Sequence, residues 1–408
     1  MIDKYVNSKK IIGSIIKLNR INKNISQKQL SKGICVPSYL SRIENGELLP
    51  SEDVISVIFD RLGLKFYDSD EFLLKGKKYL NDFFTNLNYN EFDYTNKLFD
   101  NLEKDEDKYI ASPLILDYFL AKLARYSSTP NRDKFEYSKN MILSSFDLLT
   151  AKQKYIYNFY AGIDILILSN NKIHGKQLIQ EALSLKETGH CYFGLSYAYR
   201  IENNPIKAYD SINKALDLYV AEGNIISIMS SYEKIAEVYF MLDNYSDAIN
   251  YLEISLNMAK KFKNIYFLEH LNSILAWTYY RLNDFNKALE YLSYNKGLID
   301  HRLIIPDSVI ESLIYFSLEN KELLNKAILN LNNPKTIQHI GEHNSKLIYD
   351  LFKLFIEDNN YNKNPLWGNL LSEINTNITK LVELKKVFNE LLKNYYIINR
   401  RYKDALFL

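Results

Sequence analysis

Residues 26 to 46 read SQKQLSKGICVPSYLSRIENG, and the spacing of caps, breakers and apolar positions in this stretch decides how the chain begins to fold. Ser26 has the side-chain oxygen that caps a helix start, so a helix is expected to open at Gln27. Leu30 takes its inward face, and Gly33 falls near its end, where a left-handed residue is tolerated. A second helix is expected over about 37–45, because Pro37 suits a first helical turn. Leu40 and Ile43 lie three apart on its buried face, and Gly46 stops it. Two short helices joined by a tight turn can place the second one in the major groove of DNA.

The stretch resembles the Cro/repressor class of helix-turn-helix domains through Ser26-Gln27-x-x-Leu30-Ser31 and the ending Ser41-Arg42-Ile43-Glu44-Asn45-Gly46. The resemblance runs over about 11–64, where Leu62-Gly63-Leu64 matches the close of a fifth helix. Side chains near the start of a recognition helix reach base edges. That assigns Ser38 and Tyr39 to bases, and Gln27 and Arg42 to phosphates or a base. Pro37 either meets a thymine methyl or only shapes the turn, while Lys28 and Lys32 add phosphate attraction. Arg42 has an alternative use in a salt bridge on its own helix. Glu44 reads as a structural partner. Cys35, in the turn, is open to two uses, redox sensing or small buried filler, and the second fits an unactivated thiol.

At 408 residues, with 47% apolar and 25% charged side chains, the chain is expected to form a globular protein of two or three domains. Neither an apolar run long enough to cross a membrane nor, in Met1 to Asn7, the apolar core of a signal peptide is read. Two cysteines, Cys35 and Cys191, rule out a disulfide framework and point to a reducing cytoplasm. The net charge of +2 is uneven: residues 1–65 hold 11 Lys and Arg against 6 Asp and Glu, so the head carries +5 and the remainder −3. A basic head suits phosphate attraction. One module of this size buries too little surface for tight specific binding, so a homodimer on a two-fold operator is expected.

An internal repeat fills the rest. Tyr199, Tyr239 and Tyr279 are 40 residues apart, as are Ala208, Ala248 and Ala288, and Ser196, Ala236 and Ala276. Polar turns separate tyrosine from alanine each time, and an earlier copy pairs Gly175 with Ala208 and Ala182 with Ala215 at spacing 33. Small residues let paired helices approach while the aromatic fills the gap beside them. These segments resemble tetratricopeptide repeats with lengthened helices. Further hairpins are expected over 72–87 with 91–102 and over 114–126 with 133–149, and a long capping helix over about 372–396. With no alternating apolar/polar runs, the fold class is all-α: a helix-turn-helix domain followed by a right-handed tetratricopeptide superhelix. The expected boundaries are 1–66 for the head, 67–87 for a connecting helix and 88–408 for the array.

The concave face of such an array is lined by the first helix of each repeat. Alignment to the repeat puts Tyr160, Asp164, Phe193, Tyr197, Arg200, Glu233, Glu237, Phe240, His270, Ser273, Trp277 and Tyr280 there, and a one-position shift adds Asn158 and Asn272. Aromatic surface with both charge signs suits a short, partly apolar peptide. The competing reading is that many of these aromatics are core.

The whole combination resembles the RRNPP group of quorum-sensing regulators. That resemblance implies a cytoplasmic homodimer that binds DNA and a short signalling peptide, with no cofactor. Two other readings stay open: an array that binds a protein partner, and a scaffold whose helix-turn-helix only dimerises. His339-Ile-Gly-Glu342-His343 formally matches an inverted zinc-peptidase motif, but Gly341 interrupts it and no third ligand motif follows. No phosphate loop or nucleophile elbow is present, so no catalytic or metal residue is assigned and the chain is not read as an enzyme.

Overall fold

The structure, a computed structural model, describes residues 9–295, 305–378 and 381–407. The opening segment Met1 to Asn7 lies outside the described residues. These hold helices and no strand, and they divide into two compact units, Met1–Val238 and Tyr239–Leu408.

The first unit opens with α1 (Lys9–Asn22), α2 (Gln27–Ser31), α3 (Pro37–Glu44) and α4 (Glu52–Arg61). Ser26 starts α2 through a capping box: its Oγ accepts from the Gln29 backbone at 3.2 Å, and its own N–H donates to Gln29 Oε1 at 2.9 Å. Gly33 and Gly46 follow α2 and α3 at φ +75° and +69°, conformations that cost glycine little. Ile12, Ile15 and Ile16 of α1 meet Leu30, Leu40 and Ile43 in a fully buried centre. A Cβ at Gly13 would collide with the carbonyl oxygen of Ile43, so glycine is what lets α1 cross the end of α3 this closely. Leu62-Gly63-Leu64 closes α4, the fourth helix of the described head rather than a fifth.

The head does not hang on a flexible tether. Phe66 packs on Phe59 of the head at 5.5 Å, and the next residue, Tyr67, donates its N–H to the carbonyl of Ala111 at 3.0 Å. Asn19 Nδ2 donates to the Ile110 carbonyl at 2.7 Å, and the Tyr137 hydroxyl donates to Asn22 Oδ1 at 2.8 Å. One apolar core runs without a break from Ile12 through Leu73, Leu80 and Phe83 to Tyr118 and Ile156.

Behind the head come hairpins. The first pairs α5 (Asp70–Asn88) with α6 (Phe92–Lys104), followed by the short α7 (Glu106–Ile110). Next are α8 (Ile115–Tyr126) with α9 (Arg132–Ser144), α10 (Ala151–Leu168) with α11 (Lys172–Leu185), and α12 (Gly189–Ile201) with α13 (Pro205–Glu222). The helix α14 (Ile225–Met241) follows. The small residues at repeat positions, Ala182, Ser196, Ala208, Ala215 and Ala236, are all buried.

The second unit holds α15 (Tyr245–Lys261), α16 (Ile265–Arg281) and α17 (Phe285–Ser293), then α18 (Asp307–Ser317), α19 (Lys321–Ala327), α20 (Pro334–Ile340) and α21 (Glu342–Glu357). The repeat shows physically here: Tyr239 stacks on Tyr251 and Tyr279 on Tyr291, each at 5.5 Å. Where one capping helix was expected over 372–396, two occur, α22 (Pro365–Asn377) and α23 (Val382–Ile398), before α24 (Tyr402–Leu406). The break follows Asn375-Thr376-Asn377-Ile378, short polar and β-branched residues that favour leaving a helix over continuing it. Among the described residues no helix is long and apolar enough to cross a membrane.

Candidate functional site

The reading end of α3 stands clear of the rest. Val36, Pro37 and Ser38 are exposed, Tyr39 is half-buried, and Lys28 and Lys32 are exposed beside them. What fixes this surface is a buried carboxylate. Glu44, at 0% exposure, accepts from Arg20 through Nε at 2.6 Å and Nη2 at 2.8 Å, and from Gln27 Nε2 at 2.7 Å. Arg20 Nη1 also donates to the Ile25 carbonyl at 2.9 Å. A forked guanidinium–carboxylate pair of this kind fixes direction as well as distance. It ties α1, α2 and α3 together and holds Gln27 by its amide nitrogen.

Arg42 is exposed, with Nε 3.7 Å from Glu47, a residue beyond the end of its helix. A solvent-exposed pair of that length holds the side chain weakly, worth about 0–1 kcal/mol. Val36, exposed before α3, places a second apolar side chain beside Pro37; its only mark in the sequence is an apolar residue in a turn with no buried position to fill. Cys35 is half-buried and its thiol is pushed up by burial, which opposes thiolate chemistry.

The residues expected along the array fall into three groups. Within the first unit, Arg200 of α12 forms an ion pair with Glu237 of α14, and Lys234 lies between Glu233 at 2.7 Å and Glu237 at 2.6 Å. The Arg200 guanidinium also faces the Tyr197 ring at 5.9 Å, and Arg200 Nε is buried with no acceptor. Lys234 stays firmly protonated: burial opposes its charge, and the adjoining Glu233 and Glu237 carboxylates outweigh it. Phe193 and Tyr160 are half-buried, and burial pushes the Tyr160 hydroxyl far above the usual tyrosine range.

Other positions are engaged between helices. Asn158 Nδ2 donates to Glu181 of α11 at 3.2 Å, and Asp164 accepts from Arg132 at 2.6 and 2.8 Å and from the Ser128 N–H at 2.8 Å. Asp164 therefore faces the turn between α8 and α9, beside a cavity of about 660 Å³ lined also by Lys139 and His174.

In the second unit, Asn272 donates to Asn295 Oδ1 at 3.2 Å, and Ser273 donates to Asp307 Oδ1 at 2.6 Å. Trp277 and Tyr280 pack together at 5.4 Å, and Phe240 lies against Tyr245 at 5.8 Å. His270 is half-buried.

The N-terminal region matches the helix-turn-helix family model over residues 16–68. Solved structures share the fold of most of the chain. A Rap protein complexed with competence and sporulation factor aligns at 16% identity and TM-score 0.61, covering 81% of this chain and 94% of that one. The apo quorum sensor NprR from B. thuringiensis aligns at 16% identity and TM-score 0.58, covering 81% and 99%. NprR in complex with its cognate peptide NprX aligns at 17% identity and TM-score 0.55, covering 82% and 98%. The chain thus joins a helix-turn-helix head to the helical repeat fold that these structures share. No curated protein sequence matches the chain.

The groups gathered in the head and on α12 and α14 are forked cations, aromatic faces and carboxylates held by neighbours. The zinc-like motif is split by geometry. Gly341, at φ +83°, separates α20 from α21, so His339 and His343 sit on different helices and His343 Nε2 lies 3.0 Å from Glu373 instead.

Proposed function

We propose that the protein is a cytoplasmic, homodimeric DNA-binding regulator whose repeat array takes a short signalling peptide that changes DNA binding. The observation that carries this reading is the pairing of an exposed recognition end, aimed from behind by buried Glu44, with the fold of NprR, a sensor solved with its cognate peptide. Ser38, Tyr39 and the Val36-Pro37 edge meet bases, while Gln27, Lys28 and Arg42 hold phosphates or a base. Two heads on a two-fold operator supply the contact area that one lacks.

On the array side, α12 and α14 offer Tyr197, Arg200 and Glu237, with Glu233 buried behind them against Lys234, and α10 offers Tyr160. A peptide with an apolar side chain and a carboxylate can take the aromatic faces and compete for Arg200. A peptide changes DNA binding only through its preference between two arrangements of the protein, and a tenfold effect needs about 1.4 kcal/mol of difference. No catalytic role is assigned.

The test is a gel shift on DNA flanking the protein's own gene, with and without the small-peptide fraction of spent medium from its host. A shift that the fraction alters, and that protease treatment of the fraction abolishes, supports the reading. A shift indifferent to the fraction moves the array towards a protein partner. Retained binding by Gln27→Ala with Arg42→Ala would remove the assigned DNA face.

A further inference from the structure

The turn between α5 and α6 is bonded to segments more than 100 residues away in sequence. The carbonyl oxygen of Asn88 meets His190 Nε2 at 3.0 Å and accepts from Asn224 Nδ2 at 3.0 Å. Asn90 Nδ2 donates to Ser227 Oγ at 3.2 Å, and the Tyr89 hydroxyl reaches the Glu222 carbonyl at 3.4 Å. The His190 ring is held edge-on between Phe159 and Tyr219 at 6.1 and 5.1 Å. Asn224 is almost wholly buried and serves twice: its Oδ1 caps the start of α14 by accepting from the Ser227 N–H at 3.2 Å, and its amide nitrogen goes to Asn88. The contact therefore lands on the starts of α12 and α14, the two helices that carry Tyr197, Arg200, Glu233 and Glu237.

The other end of α5 rests on the segment that also holds the head: Phe72 packs on Tyr109 of α7 at 5.4 Å, and the carbonyl of the next residue, Ile110, accepts from Asn19 of α1 at 2.7 Å. A 19-residue helix spans about 28 Å. Two routes thus join α12 and α14 to the DNA-reading surface. One runs through the stacked hairpins α8 to α11; the other is α5, acting as a strut. A shift of α12 and α14 against those hairpins must break the turn contacts or drag α5 and the head.

We propose that the turn at residues 88–90 is a latch that passes occupancy of the α12–α14 face to the head. This rests on the peptide-controlled reading above. Because the bonds run through side-chain amides, they can be cut with the backbone kept. Asn224→Asp retains the capping oxygen and sets an acceptor against the Asn88 carbonyl. Asn90→Gly keeps the φ of +59° and deletes the donor.

The experiment uses the full chain, wild type and the double variant. It combines hydrogen exchange with the gel shift in the presence and absence of the small-peptide fraction. Expected in the variant are a drop of about tenfold or more in protection across 86–91 with α10 and α11 unchanged, and loss of most of the fraction's effect on DNA affinity. An effect of the fraction equal to that in wild type, despite the exchange change, overturns the latch. Unchanged protection across 86–91 overturns the contact itself. Absence of any DNA shift in wild type sinks the regulator reading, while exchange still decides the contact.

Discussion

Two charged clusters, one in the head and one in the array, use the same chemistry to different ends. In the head, both Glu44 oxygens and the Nε, Nη1 and Nη2 atoms of Arg20 are all engaged, and Glu44 has no exposure. In the array, Arg200, Glu233, Lys234 and Glu237 hold one another, yet Arg200 Nε has no acceptor and the Arg200 and Lys234 side chains keep 22% and 24% exposure. A closed set of partners makes a framework, because losing any member strands a buried charge. A set with a donor to spare and partial access is one a ligand can rearrange at modest cost.

The comparison is broken most directly at Glu44. Glu44→Ala leaves Arg20 and Gln27 without their shared acceptor and should destabilise the head by about 3–5 kcal/mol. Hydrogen exchange localised to α1–α4 measures it, since a chain of two units does not melt as one step. If protection there falls by less than a few-fold, the carboxylate is not the keystone described. Arg200→Ala, by contrast, should leave protection in α12 and α14 within about 1 kcal/mol of wild type. Next in size is Gly13→Ala, which pushes a methyl onto the Ile43 carbonyl; the cost is about 1–3 kcal/mol despite alanine's better helix propensity. A neutral result would mean that α1 and α3 can separate freely.

The clusters also differ in how far the sequence revealed them. Ser26, Gly33, Pro37 and Gly46 announce the head because each acts on its own neighbours, through a cap, a left-handed turn or a fixed φ. The 40-residue recurrence of Tyr239 and Tyr279 announces the array because a repeated environment selects a repeated side chain. Contacts between elements are a different matter. Nothing local marks Arg20 as the partner of a carboxylate 24 positions away, or Asn224 as the partner of Asn88. Asn158 and Asn272 each bond a residue 23 positions further on, in the second helix of the hairpin and at the end of α17 respectively. Helix periodicity places such a side chain on a face without saying which neighbour satisfies it.

A smaller effect separates the latch from both clusters through pH. Burial lowers the His190 pKa from the ordinary 6.5 to about 4, with the Asn88 bond opposing and Lys186 adding to the shift. The imidazole is therefore neutral in the folded chain across a range where the unfolded chain binds a proton. Its contribution is fully present above pH 6.5 and is lost as the pH falls towards 4, by about 1–2 kcal/mol after allowing for partial exposure. Protection at 86–91 should fall over that range in wild type, and the fall should be absent in His190→Phe. Protection in α1–α4 should show no matching step. A step of equal size in the head would mean that the two regions respond to protons as one.

The smallest stability effect is expected where the largest effect on a partner is. Arg42 has only the exposed 3.7 Å pair with Glu47 to lose, so Arg42→Ala should change head stability by no more than about 0.5 kcal/mol. Its loss from DNA removes a charged contact, and affinity should drop about tenfold, some 1.4 kcal/mol. If Arg42 holds a phosphate, the loss is uniform across sequences and the salt dependence becomes shallower by about one counterion. If it reads a base, the loss is concentrated at one position of the half-site and the slope changes little. Titrating wild type and variant against matched operators at several salt concentrations distinguishes the two. Unchanged affinity under all conditions would leave Arg42 with its pairing to Glu47 alone, and would shift the reading surface towards the Val36-Pro37-Ser38 end of α3.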